Sequence, residues 1–326
     1  MHISLLVRFA LCAGAAIALL AGCGGPQVQG PATAISASQR VERDAATGSW
    51  TLPEALSENL LYVANFSNVV IFSYPSGKVV GQLKGFDANA SECVDVQGDV
   101  YVTNFDPPAL YEYAHGHSKR IATYKLKQHG AVGCSYDVTT GNLAVIGVGS
   151  TVDIFAPGAT KPSMVLDSGL FFDGGCAYDS SGDLFVDGAQ TPSGPAAVVV
   201  LPNGSSTFSA VTLNDSFDGE SDMHWDGTYL DLVAFNEKTV LRFSISGDSG
   251  VVAGKVNLKR AYSVNHFFID DSTLIMSNWG YHRGLQTKAV LFYNYPGGGA
   301  PTFKLSGDDL TDPRGVVVSS ALMSVQ

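Results

Sequence analysis

The chain repeats itself. Leu61-Tyr62-Val63-Ala64-Asn65 returns as Val100-Tyr101-Val102-Thr103-Asn104 and as Leu143-Ala144-Val145-Ile146-Gly147. Further copies are Leu184-Phe185-Val186-Asp187-Gly188, Leu230-Asp231-Leu232-Val233-Ala234 and Leu274-Ile275-Met276-Ser277-Asn278, the offsets being 39, 43, 41, 46 and 44 residues. A period of this length made only of short strands means small sheets stacked on one another, because one such unit cannot bury its own faces. A short strand precedes each later copy, at residues 94–96, 135–137, 177–179, 224–226 and 267–270, and often ends in Asp. Polar, glycine-bearing turns such as Gln97-Gly98-Asp99 separate the two. A third and a fourth strand follow, at 69–74 with 79–83, at 152–155 with 163–166, and at 291–295 with 302–305. Tyr74-Pro75-Ser76-Gly77, Ala156-Pro157-Gly158-Ala159 and Tyr295-Pro296-Gly297-Gly298 make the reversals between them. Proline there fixes one dihedral and glycine accepts the positive φ that a tight turn needs. Helical spacing is confined to the first twenty or so residues and a short stretch at 52–60.

The strand count sets the expected topology. The copy at Leu61 has no strand before it, whereas Val316-Val317-Val318-Ser319 stands where the first strand of a further unit belongs. The expectation is an all-β fold: a six-bladed β-propeller of four-stranded antiparallel blades, its ring closed by pairing the C-terminal strand with the N-terminal blade. It spans residues 59–319, with 320–326 as a tail; a last strand at 321–325 would change the count to five or seven. The grammar of segments such as Tyr178-Asp179-Ser180-Ser181-Gly182-Asp183-Leu184-Phe185-Val186 resembles that of NHL-repeat, strictosidine-synthase-like and gluconolactonase-like six-bladed propellers. The resemblance covers roughly residues 60–319 and speaks to fold more than to activity.

The first residues address the chain. A weakly basic start, an apolar run at 9–20 and the tetrapeptide Leu20-Ala21-Gly22-Cys23 form an export signal too short to span a bilayer. The tetrapeptide resembles the lipobox of bacterial lipoproteins, which implies removal of residues 1–22 and lipidation of Cys23, the protein's link to a membrane. Gly24, where an inner-membrane retention signal would place Asp, points to an outer-membrane lipoprotein with its domain in the periplasm or at the cell surface. Residues 23–58, rich in Gly, Ala, Ser, Thr, Pro and Gln, read as a flexible tether. A net charge of −11, from 19 Lys and Arg against 30 Asp and Glu with no basic run, excludes a nucleic-acid partner.

Chemistry, if any, belongs at the mouth of a central channel. Gluconolactonase-type propellers hold a divalent cation there, and the resemblance implies that Glu92, Asn104, Asp222 and His266 could imitate that set around Ca2+ or Zn2+. Gly133 and Gly175 leave two blades without a ligand, so water-satisfied polar side chains are the competing reading, in which there is no cofactor. His224 and His266, beside Trp225 and Phe267, read as packed rings with one nitrogen hydrogen-bonded. Cys93, Cys134 and Cys176 recur 41 and 42 residues apart on successive inner strands. They can pair as Cys93–Cys134 or Cys134–Cys176, or pack as small apolar thiols. Phe105, Trp279, Tyr281 and His282, with Pro107-Pro108, Phe171-Phe172 and Phe217, offer a contact face for an envelope protein or a carbohydrate. Gly247-Asp248-Ser249-Gly250 and Gly297-Gly298-Gly299 are turns, not a nucleophile motif or a phosphate loop. The expected function is a lipid-anchored, non-catalytic binding module, against the rival of a divalent-metal-dependent lactonase.

Overall fold

Strands of about five residues punctuated by Pro and Gly leave no room for helix, and among the described residues the helical structure is one 3-10 turn, Pro53–Leu56. A computed structural model of the chain describes residues 40–127, 129–192, 194, 196–217, 221–234, 237–282 and 285–321. The first strands are β1 (Glu42–Arg43), β2 (Trp50–Thr51), β3 (Leu60–Ala64), β4 (Asn68–Ser73) and β5 (Val79–Lys84). Next come β6 (Glu92–Val94), β7 (Val100–Asn104), β8 (Ala109–Tyr113) and β9 (Arg120–Lys125). Then follow β10 (His129–Tyr136), β11 (Leu143–Val148), β12 (Thr151–Phe155) and β13 (Met164–Asp167). β14 (Phe172–Tyr178), β15 (Leu184–Ala189), β16 (Ala196–Leu201) and β17 (Ser209–Leu213) lead to β18 (Ser221–Trp225), β19 (Leu230–Ala234), β20 (Thr239–Ser246) and β21 (Ser249–Asn257). The chain ends with β22 (Val264–Asp270), β23 (Thr273–His282), β24 (Leu285–Asn294), β25 (Gly298–Leu305) and β26 (Gly315–Ser319). Among the described residues no helix is long and apolar enough to cross a membrane.

The strands β6, β10, β14, β18, β22 and β26 lie side by side in that order, and β26 returns to β6, so they encircle a central space. The sheets radiate from them in a propeller-like way and pack face to face. That arrangement buries both faces of the repeated strand, which explains why β3, β7 and β15 are near-continuous apolar runs rather than alternating ones. Between neighbouring sheets lie separate clusters, one holding Leu61, Val63, Val70, Ile275 and Val290 and another Ala144, Ile146, Ile154, Val186 and Leu184. Each of these Val, Leu and Ile side chains, fully buried, contributes about 1.5–3 kcal/mol.

The expectation of six separate four-stranded antiparallel blades, shut by their termini, is corrected by the hydrogen bonding. The strands form five sheets, of which three have four strands: β6–β9, β10–β13 and β22–β25. A six-stranded sheet runs β1-β2-β5-β4-β3-β26, with Gly315–Ser319 antiparallel to Leu60–Ala64. An eight-stranded sheet arises because β17 and β21 pair in parallel, through Thr212 with Ser249 and Leu213 with Gly250. The outer strand β21 is long enough to reach past its own unit and meet a neighbour's edge. Continuity of the ring therefore does not rest on the terminal strands alone. The internal strands β14 and β18 adjoin within one hydrogen-bonded sheet, a junction that strand counting does not show. Residues from Glu42 onward also belong to the fold rather than to a tether. Trp50 and Thr51 pair with β5, and the Glu42 carboxylate accepts from the Ser118 amide and hydroxyl and bonds the His117 imidazole.

One polar network joins the β18–β21 strands to β24–β25. Arg242 pairs with Asp226 and, at 3.4 Å, with Asp231; the Tyr295 hydroxyl bonds both carboxylates at 2.6 and 2.8 Å. The guanidinium lies over the rings of Tyr229 and Tyr295. Asp231 is wholly buried, and burial is the main cause lifting its carboxyl to about 7.

Candidate functional site: the central cavity

The inner strands enclose a cavity of about 540 Å³. The starts of the inner strands bring Glu92, Asp222, Asn265, His266 and Arg314 to its wall, and β23 adds Trp279. Their ends bring Val94, Tyr136, Tyr178, Trp225 and Phe268. A volume of this size falls in the range of small-molecule sites.

The candidate metal set divides. Glu92, Asp222 and His266 line the cavity, and His266 Nε2 lies 4.0 Å from Asp222 Oδ2. Asn104 does not line it. Its Oδ1 accepts from the Asp87 amide at 2.7 Å and its Nδ2 donates to the Pro107 carbonyl at 2.8 Å. The same device recurs around the ring. Asn65 Oδ1 accepts from the amides of Thr311 and Asp312, and Asn278 Oδ1 from those of Tyr262 and Ser263. These residues close the repeated strand, and each ties down the loop that leads into an adjacent inner strand. Sequence spacing put them near the mouth, but their amides are consumed by backbone. Among the described residues, no three or more His, Cys, Asp and Glu side chains are grouped so as to hold a metal ion.

Burial governs the titration of what remains. Burial raises the Asp222 carboxyl to about 7 although it accepts from the backbone amides of Phe267 and Met223. Burial also drives Glu92 well above the usual carboxylate range, against which the nearby Ala64 backbone is a minor counterweight. The Glu92 carboxyl fits because residue 315 is glycine: a Cβ there would stand 1.9 Å from Oε2. His224 and His266 are pushed down to about 4 by desolvation, so both rings are neutral at pH 7. His224 packs on Phe267 and Phe268, and His266 Nδ1 accepts from the Val316 amide. Two neutral imidazoles and two shielded carboxyls do not make an acid–base pair in hydrogen-bond contact.

Cys93 and Cys134 form a disulfide, with Cα atoms 5.7 Å apart, and Cys176 is a buried free thiol. Register explains the choice. Cys93 stands opposite Tyr101, the second residue of its repeated strand, whereas Cys134 and Cys176 stand opposite Val145 and Val186, the third of theirs. Side chains alternate between faces along a strand, so the one-residue offset turns Cys93 toward β10 and Cys134 back toward β6. Cys176 shares the parity of Cys134 and packs with Ala144 and Ile146, on the other side of β10 from the disulfide.

Of the expected contact residues, Trp279 lines the cavity and its indole N–H is buried without a partner. Phe105 is 40% exposed and sits over Gly130, where a Cβ would strike the ring at 2.4 Å; it does not line the cavity. Phe171 is exposed, while Phe217 is buried in the core. The side chains of Tyr281 and His282 lie outside the described residues, as does Cys23 with its proposed lipid. The residues that sequence reasoning missed are Tyr136, Tyr178 and Phe268. Position at the far end of an inner strand is their signal, and it becomes readable only once strand boundaries are known.

No family model matches the chain, and no curated protein matches it. The resemblance to NHL-repeat, strictosidine-synthase-like and gluconolactonase-like families, and to lipoproteins as a family, is therefore set aside: short alternating strands with Pro-Gly turns recur wherever sheets stack radially. Solved structures share the fold. A chain of the crystal structure of a Nidogen/Laminin complex superposes with a TM-score of 0.64 at 11% identity, over 81% of this chain and 99% of that one. A protein of unknown function from Bacteroides caccae gives 0.63 at 11% identity, with the same coverage of 81% and 99%. At that identity the likeness is one of fold, not of activity.

Proposed function

We propose that the protein is a non-catalytic binding module that receives a small molecule in its central cavity and acts outside the cytoplasm, at the cell envelope. The observation that carries this reading is the cavity itself, of about 540 Å³, walled by aromatic rings and by the unpartnered polar groups of Trp279 and Asn265. Buried polar atoms without partners cost free energy that an incoming ligand can recover. Among the described residues lining the cavity no base and nucleophile are in hydrogen-bond contact, which weighs against hydrolysis, and Asn104 is spent on backbone, which weighs against the lactonase rival. The Cys93–Cys134 disulfide supports an oxidising compartment, in keeping with the apolar export leader read over residues 1–22.

A thermal-shift screen of the purified protein against a small-fragment panel tests the reading, run beside the cavity-filling variant Asn265→Trp. A fragment at a hundred times its Kd stabilises by about 2.7 kcal/mol, which raises Tm by roughly 5–10 °C in a chain of this size. Hits that vanish in the variant are the expected result. Hits that persist unchanged would move binding out of the cavity, and an absence of hits would remove the reading.

A further inference from the structure

We propose that the cavity ligand is a small molecule bearing a carboxylate, seated against Trp279, Asn265 and Arg314, with an apolar body extending along the channel. This rests on the binding reading above and names its chemistry. The groups concerned sit in one sector of the wall, built from β22, β23 and the residue before β26. Trp279 Nε1 and Asn265 Nδ2 are buried and unpartnered, and both can only donate. His266 accepts the Val316 amide at Nδ1, so its ring proton sits on Nε2, a third donor on the same wall. Arg314 is the one Lys or Arg among the described residues lining the cavity. Its Nε and Nη2 are engaged by Asp312, and the ring of Phe66 supports the guanidinium at 4.7 Å.

A wall of donors calls for an acceptor. A carboxylate supplies two acceptor oxygens and the charge that complements Arg314, whereas an ammonium group would add donors to donors. Asp179, which follows the end of β14, stands at the opposite end of the cavity from Asn265 and Arg314, and Asp312 is paired with Arg314. Glu92 and Asp222 are the lining carboxyls at the same end as the donor wall. Burial raises both, to about 7 for Asp222, so neither meets an incoming anion as a full negative charge. Farther along β22, β26 and the adjoining β6 the lining includes the apolar Phe268, Val317 and Val94, which suits a hydrocarbon body.

Three probes that share one body and differ in the head group test the assignment: sodium octanoate, octylammonium chloride and 1-octanol, titrated calorimetrically into the full-length protein at pH 6.5. Octanoate is expected to bind at least tenfold tighter than the other two. Trp279→Phe, which keeps the ring and removes the N–H, and Asn265→Leu should each weaken octanoate about tenfold and leave octanol unchanged; two variants guard against one failing to fold. Equal or tighter binding of octylammonium or octanol overturns the carboxylate assignment and leaves the binding reading standing. So does octanoate affinity that ignores both substitutions. If none of the three binds while fragment hits in the cavity persist, the carboxylate assignment alone falls; if neither is seen, both fall.

Discussion

Arg242→Met probes how the fold tolerates buried charge. The substitution keeps an apolar stem between Tyr229 and Tyr295 and deletes the guanidinium that faces Asp226 and Asp231. Those carboxylates are 6% and 0% exposed, so water cannot replace the lost partner. Removing one member of a buried pair costs about 3–5 kcal/mol, or a fall in Tm of roughly 6–20 °C at 2–4 °C per kcal/mol. The sign of the pH dependence follows from Asp231, raised from 3.8 to about 7 chiefly by burial. The folded state holds a proton that the unfolded chain releases between those values, so this group's contribution to stability falls as pH climbs from about 4 to about 7. Without Arg242 the folded carboxyl rises further. The deficit of the variant should therefore be smallest near pH 5 and largest near pH 8. Urea unfolding followed by tryptophan fluorescence at both values measures it. A deficit under about 1 kcal/mol, or one equal at the two pH values, would refute the buried-pair account.

Two more outcomes follow from the inner strands. Replacing Cys93 and Cys134 by Ser opens a crosslink that spans 41 residues, and should lower stability by about 4 kcal/mol on a chain-entropy basis; an unchanged urea midpoint, with or without reductant, would count against it. Gly315→Ala sets a Cβ 1.9 Å from Glu92 Oε2 and 3.0 Å from Ser91 Cα, an overpacking worth about 1–3 kcal/mol. Adding Glu92→Ala should restore most of that stability, and failure to do so would make the backbone at Ser91 the obstacle instead of the carboxyl.

The all-β character was legible because it rests on local chemistry: apolar runs of five residues and turns such as Tyr74-Pro75-Ser76-Gly77 point the same way. What crosses between units was not. The β17–β21 pairing depends on how far two outer strands reach at the rim, and the short repeat carries no mark of it. The disulfide partner depends on strand parity, and turns of unequal length separate each cysteine from its repeated strand, which hides that parity. Asn104 looked like a ligand, yet Asn65 and Asn278, at the same point of their own repeats, show what such an amide does here. An amide at a strand end suits a loop staple as well as a metal, and only geometry separates the two. Trp279 stood out by residue type and position, whereas its common wall with Asn265 and Arg314 required the fold.

The eight-stranded sheet has a mechanical consequence. With β17 hydrogen-bonded to β21, the units that contain β14 and β18 are clamped at the rim. The Cys93–Cys134 bond clamps β6 to β10 near the axis. A parallel bridge between Leu258 and Gly299 ties the outer strands beside β18 and β22, whereas among the described residues β22 and β26, β26 and β6, and β10 and β14 meet without a disulfide or a sheet-edge pairing. Compliance is thus distributed unevenly around the axis. Outward give that admits a solute is concentrated at the untied seams, and the one between β22 and β26 lies beside the wall that carries Asn265, Trp279 and Arg314.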